Sequence, residues 1–419
     1  MNYPDSVRYL YSLGNELKAG AKFGLERMQA LLAQLGNPER GQRFIHVAGT
    51  NGKGSTCAMI ANALRHAGYR TGLYTSPHLV QPSERIQIDG HPLTFGEFSD
   101  AFNAVHTAVE ALLQKNRLDA HPSYFEIVTA MALLTFRKRS DISVLEVGLG
   151  GRLDATNVAA PELCVITPVA FDHESFLGNS LEAIASEKAG ILKPGVPAVL
   201  AKQLPAVRAV ISQRVHELQC RAIPTDDTPV SSLRAAKHGS TFCLDGHPYE
   251  CALPGRHQTE NAAAAILCCK ELGVDTSHIQ AGLKNVEWPG RLEFISREPD
   301  LVLDGAHNPA GAAALAAYIR EFCANQAVWL VYGAMRDKAI AEVTSELFPL
   351  AERIIVTAPN LPRALRPEAI LDASEHSDSA IAETVQDAIE IARQAPKDVI
   401  VFFTGSLFLV GEARRLLLS

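Results

Sequence analysis

The sequence predicts an α/β protein of two units, each with a mostly parallel sheet: a P-loop-type domain followed by a smaller, Rossmann-like α/β domain. Three observations predict it. Short apolar runs bounded by Gly or Pro alternate with segments of helical period, as parallel strands and crossover helices do. A glycine-rich turn, Gly49-Thr50-Asn51-Gly52-Lys53-Gly54-Ser55-Thr56, separates a strand-like run from a helix-like one. The alternation breaks at Trp288-Pro289-Gly290 and restarts beyond it.

Taken in order, residues 43–47 are expected to form a buried strand. Residues 55–67 are expected to form a helix, with Cys57, Ile60, Ala61 and Leu64 at helical spacing and Gly68 as its stop. A strand follows through Leu73 and Tyr74, then strands at 142–147 and 164–167. Residues 241–253 read as a hairpin turning at Asp245-Gly246. Helices are expected at 260–272 and 277–285. Beyond the break, strands are expected at 301–304, 328–332, 353–357 and 399–404, with helices such as 311–322 and 381–393 between them. The expected domains are therefore residues 1–288 and 289–419.

Composition narrows the function classes. The 419 residues suit two or three domains at roughly 150 residues each. With 47% hydrophobic and 20% charged residues, a packed protein is expected rather than a disordered one. A net charge of −7 gives no basic field for nucleic acid. No run of about 18 apolar residues indicates a membrane span, and Met1-Asn2-Tyr3-Pro4-Asp5 does not open a secretory signal. The eight cysteines form no CxxC pair. Cys164, Cys268, Cys269 and Cys323 sit in apolar runs and read as reduced core residues, so a cytoplasmic location is expected.

The strand–loop–helix context around residues 49–56 is what a phosphate cradle requires: glycines admit the phosphates to backbone N–H groups, and the helix N-terminus adds a favourable dipole. Lys53 can reach the β/γ-phosphates. The pattern departs from G-x-x-x-x-G-K-[ST], because Val47 stands at its first glycine and Gly54 follows the lysine. The magnesium-binding hydroxyl must then be Ser55 or come from elsewhere. Glu146 ends an apolar strand, a placement that suits Mg²⁺ bound to ATP, although a structural glutamate is also compatible. Gly148-Leu149-Gly150-Gly151 fails as a dinucleotide fingerprint, since Leu153 occupies the third glycine's place. His173 reads either as a structural histidine or as a ligand. Lys188, near a helix end before Gly190, reads as a solvated lysine or a functional one. Asn308 before Pro309 is a natural helix cap.

The loop Gly-Thr-Asn-Gly-Lys-Gly-Ser resembles that of the folylpolyglutamate synthases and the bifunctional dihydrofolate synthase/folylpolyglutamate synthases, members of the Mur ligase superfamily. The resemblance continues in order through Tyr74-Thr75-Ser76-Pro77-His78-Leu79, Glu84-Arg85-Ile86, Tyr124-Phe125-Glu126 and residues 145–157. It then covers Asp172-His173, Glu187-Lys188-Ala189-Gly190-Ile191, His257-Gln258, Pro289-Gly290-Arg291-Leu292-Glu293 and Asp304-Gly305-Ala306-His307-Asn308-Pro309. It implies an ATP-dependent acid–amino-acid ligase with one or two Mg²⁺ ions. Ser76, Glu146, His173 and Lys188, the last carbamylated, match the metal ligands, which would let Ser76 supply the hydroxyl. Thr50, Asn51, Gly52, Lys53, Gly54, Ser55, Asn261, Arg291 and Asp304 match the ATP contacts. His307 would lie near the transferring phosphate or the incoming amino acid. Ala339 replaces the last Asp of a G-x-x-x-D-K-D motif beginning at Gly333.

Gly24-Leu25-Glu26-Arg27 resembles the dihydropteroate-contacting segment of the bifunctional enzymes, and it also reads as a helix start with Arg27 exposed. Ser123, Tyr124 and Phe125, with Leu153 and Asp154, match further stretches of the pterin pocket, Ser123 replacing a common Thr. The implied partners are dihydropteroate, reduced folates, L-glutamate and ATP, with no nucleic acid and no membrane, and a monomer is expected. Mur ligases taking UDP-linked substrates carry a domain before the phosphate loop, and the 48 residues before Gly49 are too few for it. A nucleotide-binding switch protein is the rival of another class.

Overall fold

The computed structural model describes residues 1–14, 24–336, 339–372 and 376–419. Its contacts divide the chain into two units. The first comprises Met1–Val169, Leu177–Pro229 and Glu260–Asn285, and the second Ala170–Phe176, Val230–Thr259 and Val286–Ser419.

The first unit is built on β1 (Phe44–Ala48), β2 (Thr71–Tyr74), β3 (Ile86–Ile88), β4 (His91–Pro92), β5 (Ile142–Glu146), β6 (Leu163–Ile166), β7 (Ala198–Leu200) and β8 (Ala222–Pro224). Their order is β4-β3-β2-β5-β1-β6-β7-β8. The six strands from β2 to β8 in that order run parallel, while β3 and β4 fold back antiparallel at one edge. Every residue of β1, β5 and β6 is buried, which is why these strands read as mainly apolar runs without alternation. The short β3 and β4 carry too few residues for a period-two signal. An apolar cluster of Phe98, Phe102 and Val105 with Val128, Phe136 and Leu145 packs the helices Phe95–Gln114 and Tyr124–Arg139. Both helices open on capping boxes, Thr94 with Glu97 and Ser123 with Glu126, which satisfy their first backbone N–H groups.

The second unit holds an antiparallel sheet, β11-β10-β9, from β9 (Ser231–Ala236), β10 (Gly239–Leu244) and β11 (His247–Cys251). Asp245 and Gly246 join β10 to β11 with φ of +52° and +73°, the two left-handed residues of a type I′ turn. The expected hairpin is thus present, with β9 as a third strand. The larger sheet has the order β12-β13-β17-β14-β15-β16, from β12 (Glu293–Ser296), β13 (Asp300–Leu303), β14 (Val328–Tyr332), β15 (Arg353–Val356), β16 (Ser379–Ile381) and β17 (Ile400–Thr404). Only β12 is antiparallel. The helix expected at 381–393 is shorter, Val385–Ala392. Thr384 caps it and closes a box with Asp387, so it cannot extend backward, and the residues before it pair with β15 instead.

Among the described residues no helix is long and apolar enough to cross a membrane. The helix Thr276–Lys284 lies against Lys53–His66, the helix that follows the phosphate loop. The approach needs Gly282: a Cβ there would stand 2.5 Å from Ala63 Cα. Asn62 Nδ2 also donates to Gly282 O at 2.7 Å. Gly282→Val is expected to lower the unfolding free energy by about 3 kcal/mol, read as a lower urea midpoint at unchanged slope. An unchanged midpoint would contradict this packing.

Candidate active site

β1 delivers the chain to the phosphate loop, and the helix Lys53–His66 starts directly after Gly52. The loop is tied down by Thr50 N–H and Asn51 N–H, which donate to Pro168 O at 2.9 and 3.3 Å. Gly49 has φ +150° and Gly52 φ +84°. A Cβ on Gly49 would strike the Thr167 hydroxyl, and one on Gly52 the Asn261 amide. No side chain caps the helix, so its first turn presents backbone N–H groups and the positive end of the dipole to the loop. Lys53 Nζ lies 3.2 Å from Thr50 O, folded over its own loop. This is the arrangement of an anion site.

Strand register brings two of the candidate metal residues, Ser76 and Glu146, together. β1 pairs with β5 so that Val47 stands beside Glu146, and β2 pairs with β5 so that Tyr74 stands beside Leu145. Glu146, buried at the end of its strand, accepts the Ser76 N–H at 3.0 Å. Lys188 is 5% exposed and its Nζ donates to Gly49 O at 2.7 Å. The reading of Lys188 as a solvated lysine is therefore overturned, because the residue reaches the phosphate loop from within. Among the described residues no three His, Cys, Asp or Glu side chains gather to hold a metal by themselves. A hydroxyl and one carboxylate nevertheless fit Mg²⁺, which keeps waters and takes nucleotide phosphates as ligands.

Residues 123–126 face three different neighbours besides one another. Ser123 and Glu126 form the cap. The Tyr124 ring is parallel to Tyr11, at 4° with centroids 6.0 Å apart. Phe125 packs under Gly148, where a Cβ would stand 2.5 Å from its ring. Glu126 receives Arg27 Nε and Nη2 at 3.3 and 3.4 Å; Arg27 is not the exposed residue of a bare helix start. Asp154 fastens the adjacent loop. Its Oδ2 accepts Gly148 N–H and Leu149 N–H at 3.0 and 2.9 Å, and its Oδ1 accepts Thr156 N–H at 3.0 Å and the Thr156 hydroxyl at 2.5 Å. Burial raises the Asp154 carboxyl above its ordinary pKa against the pull of these bonds. Gly24 and Leu153 are half-buried.

In the second unit, Asp304 follows β13. Its Oδ2 accepts Leu292 N–H and its Oδ1 accepts Ala306 N–H, both at 3.0 Å. Burial raises its pKa, while Arg291 is the largest influence lowering it. Asn308 caps the helix Pro309–Phe322 through Gly311 N–H at 2.8 Å. His307 Nδ1 donates to Gly305 O at 2.7 Å, which leaves Nε2 facing Asp172 Oδ2 at 3.7 Å. Asp172 Oδ2 also lies 3.9 Å from His173 Nε2 and accepts Asn308 Nδ2 at 3.3 Å. His173 thus sits with Asp172, His307 and Asn308, in the segment Ala170–Phe176 that groups with this unit.

The shared role of Asp172 was missed because its partners lie more than a hundred residues away; only the adjacent His173 hinted at it. Of the motif beginning at Gly333, Asp337 and Lys338 lie outside the described residues. Ala339 occupies the N-cap of Ile340–Leu347 without a side-chain bond, a position where Asp would be a strong cap.

Two families match the chain. The Mur ligase middle domain matches residues 47–269, and the Mur ligase glutamate ligase domain matches residues 290–407. The dihydrofolate synthase/folylpolyglutamate synthase of Bacillus subtilis is 38% identical, over 99% of this chain and 98% of its own length. Mycobacterium tuberculosis folylpolyglutamate synthase, solved with ADP and AMPPCP, superposes with a TM-score of 0.91 at 32% identity, covering 99% of both chains. Escherichia coli FolC in complex with DHPP and ADP superposes at 0.86 with 28% identity, covering 99% of this chain and 97% of its own.

The Asp154 network extends into the sheet. Thr156 donates its hydroxyl to Asp154, so His46 Nε2, 2.8 Å from Thr156 Oγ1, must carry the proton of that bond. Burial, with Lys193 adding to it, pushes the His46 pKa down to about 3. The unfolded chain binds this proton near pH 6.5 and the folded one does not. Stability from His46 is thus full above pH 6.5 and falls as pH drops toward 3, by about 1.4 kcal/mol per pH unit. His257, lowered to about 4 by burial and Arg291, acts in the same sense; Asp154, raised, acts oppositely. Urea unfolding between pH 7 and 5 should show His46→Gln with a shallower loss than the parent. Equal slopes would contradict the His46 assignment.

Proposed function

We propose, from the premise that the chain belongs to the Mur ligase family in its dihydrofolate synthase/folylpolyglutamate synthase branch, that it is an ATP-dependent ligase adding L-glutamate twice over. It joins glutamate to dihydropteroate, forming dihydrofolate, and to the γ-carboxylate of folates, forming folylpolyglutamates. The observation that carries this reading is the uncapped helix at Gly52, with Lys53 over the loop and Glu146 beside the end of β1.

A carboxylate is a poor acyl donor because its oxygen is a poor leaving group. In the first step a substrate carboxylate oxygen attacks the γ-phosphorus of ATP, the bond to the β,γ-bridging oxygen breaks, and ADP leaves. The acyl phosphate then meets the glutamate amine. The new C–N bond forms, the C–O bond to phosphate breaks, and the amine proton passes to the medium. Thr50, Asn51, Gly52, Gly54 and Ser55 line the phosphate loop, and Lys53 neutralises charge on the β/γ-phosphates during transfer. Asn261, Arg291 and Asp304 are assigned to ATP, and His307 to the transferring phosphate or the incoming amino acid. Ser76, Glu146, His173 and a carbamylated Lys188 would hold Mg²⁺, which supplies further neutralisation of phosphate charge. The burial of Lys188, with its Nζ against the phosphate loop, supports a functional role for it.

Gly24, Ser123, Tyr124, Phe125, Leu153 and Asp154 are assigned to the pterin pocket, with Asp154 holding its loop as well. We assign residues 1–288 to the ATP- and pterin-binding domain and 289–419 to the glutamate-ligase domain; the limits of the two matched families support that division. A monomer working in the cytoplasm is the matching expectation, and eight free thiols are in keeping with a reducing compartment.

The purified protein given dihydropteroate, Mg-ATP and L-glutamate should release phosphate only when all three are present, and should do so with tetrahydrofolate as well. Lys53→Ala should cut kcat on the order of a hundredfold or more. Turnover on tetrahydrofolate alone would remove the first activity. Phosphate release without glutamate would favour a nucleotide switch.

A further inference from the structure

We propose that Tyr11 is a specificity-determining residue whose ring is the outer plate of an aromatic stack that receives the flat heteroaromatic end of the substrate. The inference rests on the folate reading above and adds a residue to it from outside every matched motif.

Tyr11 lies in the helix Tyr3–Ser12 and is 53% exposed. A half-exposed tyrosine is ordinarily free to turn, and fixing one costs side-chain entropy. This one is fixed twice. Its ring is parallel to the buried Tyr124, and its hydroxyl lies 3.2 Å from His78 Nε2. His78 Nδ1 accepts Arg85 Nε at 2.8 Å, so the His78 proton is on Nε2 and points to Tyr11. The buried Arg85 guanidinium also lies 5.0 Å from the Tyr124 ring centroid. A cation, a histidine and a buried aromatic thus hold one exposed ring parallel to its neighbour.

The helix does not need Tyr11 for its own attachment. Leu10 is fully buried, and Tyr9 packs edge-on against Phe102 and bonds His121 at 2.9 Å. What Tyr11 offers is a half-exposed ring held parallel to the buried Tyr124. Tyr124 precedes Phe125 in the same helix, and Phe125 underlies Gly148, whose N–H is held by Asp154. A planar heterocycle gains from stacking on such a surface through its π face, whatever its edge substituents. Dihydropteroate and the folates share a ring of that kind.

The test is steady-state kinetics of Tyr11→Leu and Tyr11→Phe with dihydropteroate. Tyr11→Leu should raise the KM for dihydropteroate about tenfold, as loss of an aromatic stacking partner does, with kcat changed less than about twofold. The KM values for ATP and L-glutamate should stay at the parent's values, which also shows that the variant is folded. Tyr11→Phe keeps the ring and should stay within about threefold of the parent. An unchanged dihydropteroate KM in Tyr11→Leu, or an equal loss in Tyr11→Phe, overturns the role of the ring while leaving the ligase reading intact. A parent enzyme that turns over neither dihydropteroate nor tetrahydrofolate overturns both.

Discussion

The first unit depends on one register: β1 and β5 pair in parallel so that Val47 stands beside Glu146. With that pairing set, β1 ends at Ala48, directly before Gly49, β5 ends on its buried carboxylate, and β6 ends two residues before Pro168, whose carbonyl anchors the loop. A slip of one residue would turn Glu146 to the other face of the sheet and bury it without the Ser76 N–H. Lys188 adds the fourth side, with Nζ on Gly49 O. The site is therefore a consequence of parallel strands ending at a common edge, where helix N-termini and strand C-termini meet.

A second theme is the use of carboxylates, three of the four buried, as fasteners for loops that leave strands. Glu146 holds Ser76, and Asp154 holds residues 148, 149 and 156. Glu84 gathers the N–H groups of Leu79, Val80 and Gln81, at 2.8, 3.2 and 2.9 Å, and Asp304 holds Leu292 and Ala306. Burying a carboxylate is expensive unless several donors meet it. Once they do, the loop has a single shape, and shape is what a site for phosphate and a planar heterocycle requires. Asp154 carries its fastening inward through Thr156 to His46 on β1, so loop and sheet share one hydrogen-bond chain.

Much of this was legible in the sequence, for physical reasons that differ by element. The central strands were readable because burial on both faces leaves mainly apolar runs without alternation, and the turn at Asp245-Gly246 because only certain residues adopt left-handed backbone there. The residue types of the phosphate loop announced their chemistry. Partners were not readable, since they are set by strand register and not by spacing along the chain. The link from Lys188 to Gly49, the shared Asp172 carboxylate and the Tyr11–His78–Arg85 chain all span contacts that no local pattern encodes. The strands β3 and β4, toward one edge of the sheet, were too short to leave a pattern. The helix expected from residue 381 was over-extended because its cap at Thr384 was overlooked.

The chemistry asked of these residues is modest in kind and demanding in placement. In the proposed reaction Lys53 and the helix N-terminus would meet developing negative charge, and the fastened loops would hold the carboxylate and the nucleotide in a fixed geometry. The central claim is that the carboxylate is activated by direct phosphorylation at this loop. The most direct measurement uses dihydropteroate carrying oxygen-18 in its carboxylate, with ATP and L-glutamate, followed by mass analysis of the released phosphate. The account predicts that the phosphate acquires a labelled oxygen from the carboxylate in each turnover. Unlabelled phosphate released alongside the amide product would contradict it.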